Sequence, residues 1–292
     1  MKLDKKNSNI KHTQNFLTKK KLAERLINES NIEAKDLIVE IGPGKGILTE
    51  ILWKKVENIL AIEKDKELFL NLYNKYKNFR NIKIIHKDFL EYKLPNKKFK
   101  IFSNIPFNIT SQIFNKIMNS NFFEEGYLIV QKEYAEKICG SPYSNKNLKE
   151  SLIIKYDFDL NVLYEFKKTD FFPVPSVNIV LLHILRKKKT NLKERREYFD
   201  FISYSFLRGK KNIKVSLEKI FTLEQLKRLS LEYFFDLNSK LTEISFDKWL
   251  SIFNYYLVGV EDNKKMHVKN SFELLKKSSK KIKKIHRTCI RR

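Results

Sequence analysis

Residues 38–52, IVEIGPGKGILTEIL, read as strand, glycine turn and helix in immediate succession. Gly42, Gly44 and Gly46 let the backbone turn sharply and let a ligand come close to it. The third glycine follows the second by two residues, where dinucleotide-binding loops space them by three. Glu63 closes the next strand, in AIEKD, and an acidic side chain there can accept hydrogen bonds from both hydroxyls of a ribose. Together these features point to a bound nucleoside cofactor without naming it. Asp88 ends the third strand, in IIHKDFL, where it either holds an adenine amine or caps the turn that follows.

Outward from this loop, short apolar runs alternate with amphipathic segments. Leu37–Ile41, Ile59–Glu63, Ile82–His86, Lys100–Ser103, Tyr127–Val130, Asp159–Phe166 and Val177–Ile184 read as strands. Leu68, Leu72, Tyr73 and Tyr76 share one helical face, as do Ile109, Ile113, Ile117 and Met118. The alternation predicts an α/β, Rossmann-like parallel sheet covered on both faces, with an antiparallel hairpin at one edge. Past a basic linker at Arg186–Thr190 only helical patterns remain: Glu194–Leu207, Ile213–Phe221, Leu223–Leu229 and Phe246–Leu257. Residues 261–292 carry twelve basic and three acidic side chains. The expected organisation is a nucleoside-cofactor-binding domain over 1–188, a small all-α domain over 189–260, and a disordered basic tail over 261–292.

The chain of 292 residues carries a formal net charge of +25. That implies a polyanionic partner, nucleic acid first and an anionic membrane surface second. No apolar run reaches the length of a membrane span; Asn178–Leu185 has strand length. The two cysteines, Cys139 and Cys289, form no metal or redox pattern, and the five histidines are scattered, so no metal site is expected. The expectation is a soluble cytoplasmic monomer.

The stretch KIFSNIPFNIT, residues 100–110, starts as a buried strand and stops at Asn104, because Pro106 cannot continue an interior ladder. Strand C-termini are where open α/β sheets bind ligand. The Asn104 side-chain oxygen and the Ile105 carbonyl are acceptors suited to the two N–H groups of a planar amine, and Phe107 offers a face for a base. A proline-terminated strand with a core phenylalanine is the plainer reading.

HTQNFLT at 12–18, EIGPGKGILT at 40–49, AIEKD at 61–65, HKDFL at 86–90, NIPFNIT at 104–110, YLIVQKE at 127–133 and FFPVPSVN at 171–178 resemble, in order, the ribosomal RNA adenine N6-methyltransferases. HTQNFLT, the isoleucine of NIPFNIT and SFDKWLSIFNYYL at 245–257 are most similar to the macrolide–lincosamide–streptogramin resistance methylases acting on 23S ribosomal RNA. The small-subunit dimethyltransferases share the fold and most motifs, typically with leucine before the proline.

The resemblance implies S-adenosylmethionine as cofactor, contacted by Asn15, Leu17, Gly42, Gly44, Glu63, Asp88 and Asn104. It implies that Asn104, Ile105 and Pro106 hold the target amine, that Phe107 stacks on the adenine, and that Phe171 covers the other ring face. Many members carry tyrosine where Phe107 stands, a change that keeps the stacking face. Lys19 and Lys20 at the first helix, and Arg208, Lys210 and Lys211 around Gly209, are the expected phosphate contacts. The reading is methylation of one adenosine of 23S RNA conferring antibiotic resistance. Its rivals are a 16S (small-subunit) dimethyltransferase, a catalytically silent RNA-binding relative and a dinucleotide oxidoreductase.

Overall fold

The structure, a computed structural model, describes residues 15–142, 148–187, 191–207 and 212–277. Arg208, Lys210 and Lys211, the HTQ of HTQNFLT and the last fifteen residues of the expected tail lie outside the described residues. The chain divides into two compact units.

The first unit holds residues 1–135 and 159–186. Its strands are β1 (Phe16–Leu17), β2 (Leu37–Ile41), β3 (Asn58–Glu63), β4 (Ile82–His86), β5 (Phe99–Asn104), β6 (Phe123–Gln131), β7 (Phe158–Phe166), β8 (Phe171–Phe172) and β9 (Ile179–Arg186). Seven form one sheet in the order β4-β3-β2-β5-β6-β9-β7, while β1 and β8 form a separate two-stranded ribbon. β2 to β6 run parallel and β9 antiparallel to β6. β2 is buried at every residue, as expected of a parallel strand covered on both faces. The seven sheet strands are the seven read from the sequence. The short ribbon was not foreseen, because two-residue strands carry no periodicity.

The strand order reverses between β2 and β5, since β3 and β4 extend the sheet one way and β6 the other. Such a switch point is where an open sheet forms a crevice at its strand C-termini. Here the parallel ladder pairs Ile38 with Lys100 and Val39 with Ile101. Further on, the Ile41 N–H donates to the Ser103 hydroxyl at 2.7 Å. A side chain stands in for a backbone acceptor, and the loops after β2 and β5 are free to diverge.

The second unit joins residues 136–158 to 187–292. The return to this unit at Lys187 lies within two residues of the expected boundary at 188, but the first domain is not continuous, since 136–158 leaves it. The helix Lys149–Asp157 lies between strands in sequence but packs against the helix Leu192–Phe206. Tyr156 stacks on Tyr198 with ring centroids 4.3 Å apart, and Arg195 Nε donates to both oxygens of Asp157 at 2.9 and 2.8 Å. The helices Leu192–Phe206, Ile213–Leu217, Leu223–Glu232 and Phe246–Gly259 close over a core rich in aromatics, with Phe201, Trp249 and Phe253 buried.

The expected tail needs a second correction. Asp262–Lys265 is a short helix, residues 271–277 are helical, and Val268 is buried in this unit's core. The Asp200 carboxylate accepts from the Asn270 and Phe272 N–H groups, both at 2.9 Å, and the Phe272 ring meets Phe199 edge-on at 5.2 Å. A lysine-rich composition concealed three anchoring positions, Val268, Ser271 and Phe272. A truncation at 260 would remove these three positions from the core.

Candidate active site

An open cleft lies in the first unit at the switch point. It is lined by Asn15, Phe16 and Leu17 of the ribbon, by Glu40, Gly42, Pro43, Lys45, Ile47 and Leu48 around the glycine turn, and by Asn104 to Phe107 after β5.

The glycine turn is built as its residue types demand. Gly42, Gly44 and Gly46 have φ of 62°, 58° and 81°, all in the left-handed region. At Gly44 a Cβ would also lie 2.7 Å from the Phe16 ring, and at Gly46 one would lie 2.5 Å from Leu72 Cδ2. The turn is closed by the Gly42 N–H donating to the Ile62 carbonyl and the Gly46 N–H to the Pro43 carbonyl, both at 2.9 Å.

Glu63 ends β3 beneath this turn, buried. Its Oε2 accepts from the Gly44 N–H at 3.0 Å and its Oε1 from the Asp65 N–H at 2.8 Å. Burial pushes its carboxyl above the ordinary carboxylate range, and the two backbone donors pull the other way. Asp88 takes the second of the two roles the sequence left open and adds an ion pair. Oδ1 accepts from the Leu90 N–H at 2.8 Å as a turn cap, while Oδ2 pairs with Lys64 Nζ at 2.8 Å. Neither Glu63 nor Asp88 is among the residues lining the cleft.

Asn104 stands at the end of β5, half-buried. Its Nδ2 donates to the Asn15 backbone carbonyl at 2.7 Å. A carbonyl only accepts, so the amide nitrogen must face it and Oδ1 is turned away with its lone pairs available. The next residue, Ile105, is buried in the cleft wall. Pro106, with φ of −61°, starts a single helical turn over Phe107–Ile109, and its carbonyl accepts from the Ile109 N–H at 3.3 Å and the Thr110 hydroxyl at 3.2 Å. Phe107 is half-buried in the lining, with the core behind it.

The other expected residues fall as follows. Leu17 lines the cleft from a buried position, and the Asn15 side chain donates to the Pro173 carbonyl at 2.7 Å. Phe171 is buried, edge-on to Phe166 at 5.3 Å, and is not in the lining. Lys19 is exposed and, among the described residues, shows no ion pair. Lys20 Nζ is held by Glu50 at 2.6 Å, and the same carboxylate takes Lys75 at 3.2 Å. Those two cations hold the Glu50 carboxyl down at about 2, and one carboxylate shared by two lysines leaves this cluster net positive.

Glu40 was missed by the sequence reading. It lies in β2 two residues before Gly42, buried, its Oε2 accepting from the Thr49 hydroxyl at 2.7 Å. Oε1 is buried with no hydrogen-bond partner among the described residues. Burial pushes this carboxyl up to about 8, the Thr49 bond opposes the rise, and nearby Glu63 adds to it. The signal was there to find: one acid inside the otherwise apolar run LIVEI, directly before a glycine turn. Because the folded value lies above the unfolded one, native Glu40 holds a proton that the unfolded chain gives up. Its stabilising share is whole below about pH 4.5 and fades as pH rises toward 8. Denaturant unfolding of the ligand-free protein at pH 5 and pH 8 should show stability falling with pH, and Glu40→Gln should flatten that slope. An unchanged slope would move the titration to another group.

These residues fit S-adenosylmethionine. Glu40 Oε1, without a partner in the ligand-free protein, suits the cofactor's amino group once the carboxyl gives up its proton, and the turn of three left-handed glycines allows close approach of a ligand. The cofactor's chemistry is an electrophilic methyl on a sulfonium, and the cleft sets Asn104 and Phe107 opposite the glycine turn.

The comparisons agree with this geometry. The family model for ribosomal RNA adenine dimethylases matches residues 5–257. The chain is 33% identical over 215 residues to the ribosomal RNA small subunit methyltransferase A of Mycoplasmopsis pulmonis, covering 73% of this chain and 84% of that protein. It is 34% identical over 251 residues to the rRNA adenine N-6-methyltransferase of Limosilactobacillus reuteri, covering 85% and 96%. Among solved structures, the 23S rRNA methyltransferase ErmE aligns with a TM-score of 0.75 at 21% identity, covering 82% of this chain and 98% of that one. A dimethyladenosine transferase from Plasmodium falciparum aligns with a TM-score of 0.65 at 19% identity, covering 84% and 98%. At those identities the two structures speak for the fold. The glycine turn, the Asn104 loop and a match over residues 5–257 together make the chain a member of the ribosomal RNA adenine dimethylases, S-adenosylmethionine-dependent methyltransferases that modify ribosomal RNA at adenine N6.

Proposed function

We propose that the substrate is one unpaired adenosine, drawn out of its stack into the cleft and methylated at N6 once or twice. The observation that carries this is the fixed orientation of Asn104, whose Oδ1 is left as an acceptor beside Ile105. The lone pair of a purine amine is shared with the ring, which makes it a weak nucleophile. Acceptors at Asn104 Oδ1 and the Ile105 carbonyl would draw both N–H groups, free the lone pair, and stabilise positive charge as the new N–C bond forms. The proton then leaves a nitrogen that has become acidic, so the step needs no strong general base. Phe107 presents a ring face for the adenine.

Two readings of the RNA remain. Small-subunit RNA is favoured by relatives whose names specify a subunit, those of Mycoplasmopsis pulmonis and Ureaplasma parvum among them, the latter 31% identical over 255 residues. Large-subunit RNA, with loss of drug binding as the consequence, is favoured by Ile105 before Pro106 and by the resemblance at 245–257. Mass spectrometry of ribosomal RNA from cells with and without the gene separates them. A gene-dependent N6-methyladenosine or dimethyladenosine in one subunit assigns the substrate. Identical RNA in both strains would defeat the proposal.

A further inference from the structure

The ribbon beside the cleft sorts its aromatics in a way that motif order alone does not suggest. β1 and β8 are antiparallel, with Phe16 opposite Phe172 and Leu17 opposite Phe171. Residues directly opposite in such a pair put their side chains on the same face. Leu17 and Phe171 are buried, so theirs is the core face. Phe16 and Phe172 share the other. Phe16 lines the cleft, its ring against Gly44, with Lys45 Nζ 5.3 Å from its centroid. Phe172 is 65% exposed and Val174, two residues on, is 61% exposed, whereas Phe171 is 2% exposed.

The backbone carrying these two apolar side chains is pinned. The Thr18 N–H donates to the Asp170 carbonyl at 2.8 Å and its hydroxyl to the same oxygen at 3.0 Å, while Asn15 Nδ2 holds the Pro173 carbonyl at 2.7 Å. A large aromatic displayed on a fixed rim, continuous with a face that lines the cleft, is placed to meet a partner. In a chain of +25 charge, with Lys45 on the same face, that partner is RNA.

We propose that Phe172 is a stacking platform for the base next to the target adenosine in the RNA strand, with Val174 extending the apolar surface. This rests on the functional reading above. An adenine taken into the cleft leaves its neighbour at the rim, unstacked on one side, and an aromatic face replaces the lost stacking partner whatever the base. This role differs from the one the resemblance implies for Phe171, which is to cover the other face of the target adenine.

The test is a mutant cycle in RNA affinity on a short hairpin carrying the adenosine mapped by mass spectrometry. The probes are the intact hairpin and two versions with an abasic site immediately 5′ or 3′ of that adenosine. Phe172→Ala should weaken binding of the intact hairpin roughly tenfold, the scale of one base–aromatic stack, and Phe172→Trp should restore it. On one of the two abasic hairpins the parent and Phe172→Ala should bind alike. S-adenosylmethionine affinity and melting temperature should not move. Equal binding of the intact hairpin by parent and variant would overturn the proposal, as would a deficit that persists on both abasic hairpins or one accompanied by a lower melting temperature. Methylation of the intact hairpin by the parent reports separately on the functional reading, so either can fail alone.

Discussion

Asn104→Ala is expected to slow methyl transfer about a hundredfold, with RNA affinity nearly unchanged. A positioned acceptor of this kind is worth on the order of 3 kcal/mol at the transition state, which is about that factor in rate. RNA affinity is spread over many basic contacts, whereas the amine is met at one point. Among the described residues the side chain's one hydrogen bond is its donation to the Asn15 carbonyl, and that bond is what aims Oδ1. Single-turnover methylation of a short hairpin, with RNA binding measured in parallel, is the check. Phe107→Tyr should be nearly silent in the same assay, since the ring face is kept. Transfer by Asn104→Ala at the parental rate would reduce the loop to a strand terminus.

Glu63→Ala is expected to cost about a hundredfold or more in S-adenosylmethionine affinity, read by calorimetry. The sequence alone makes Glu63 a ribose acceptor. The structure gives it a prior task, since its two oxygens hold the Gly44 and Asp65 N–H groups and so join the glycine turn to the end of β3. Removing a buried carboxylate strands two backbone donors, and hydrogen bonds to a charged group are worth roughly 1.5–3 kcal/mol each. Glu63→Gln sharpens the case. Its amide keeps one acceptor but sets an N–H₂ against the second backbone donor, so it should fall between parent and alanine. Equal cofactor affinity in parent and Glu63→Ala would remove Glu63 from the site.

Much of the site was legible in one dimension because its constraints are local. A left-handed residue calls for glycine, and Gly42, Gly44 and Gly46 all adopt that conformation. Proline ends an interior strand, and β5 does stop at Asn104, two residues before Pro106. Glu40 stands out only as a charge within an otherwise apolar strand, and its burial there is a tertiary fact.

The sequence by itself determined the parallel sheet, the glycine turn, the Asn104 loop and the polyanionic partner, since each follows from neighbours in the chain or from composition. Tertiary structure alone decided the rest. Which way the Asn104 amide faces, and so where Oδ1 is aimed, depends on Asn15, 89 residues away. Which of two adjacent phenylalanines is exposed depends on the register of β8 with β1, far upstream, and a slip of one residue would exchange Phe171 and Phe172. Residues 136–158 join the second unit, and 261–277 fold into it, through Tyr198, Arg195 and Asp200 on the helix Leu192–Phe206. Periodicity reports what a segment will be, but a partner distant in the chain leaves no local trace, and burial, register and hydrogen-bond orientation are set by such partners.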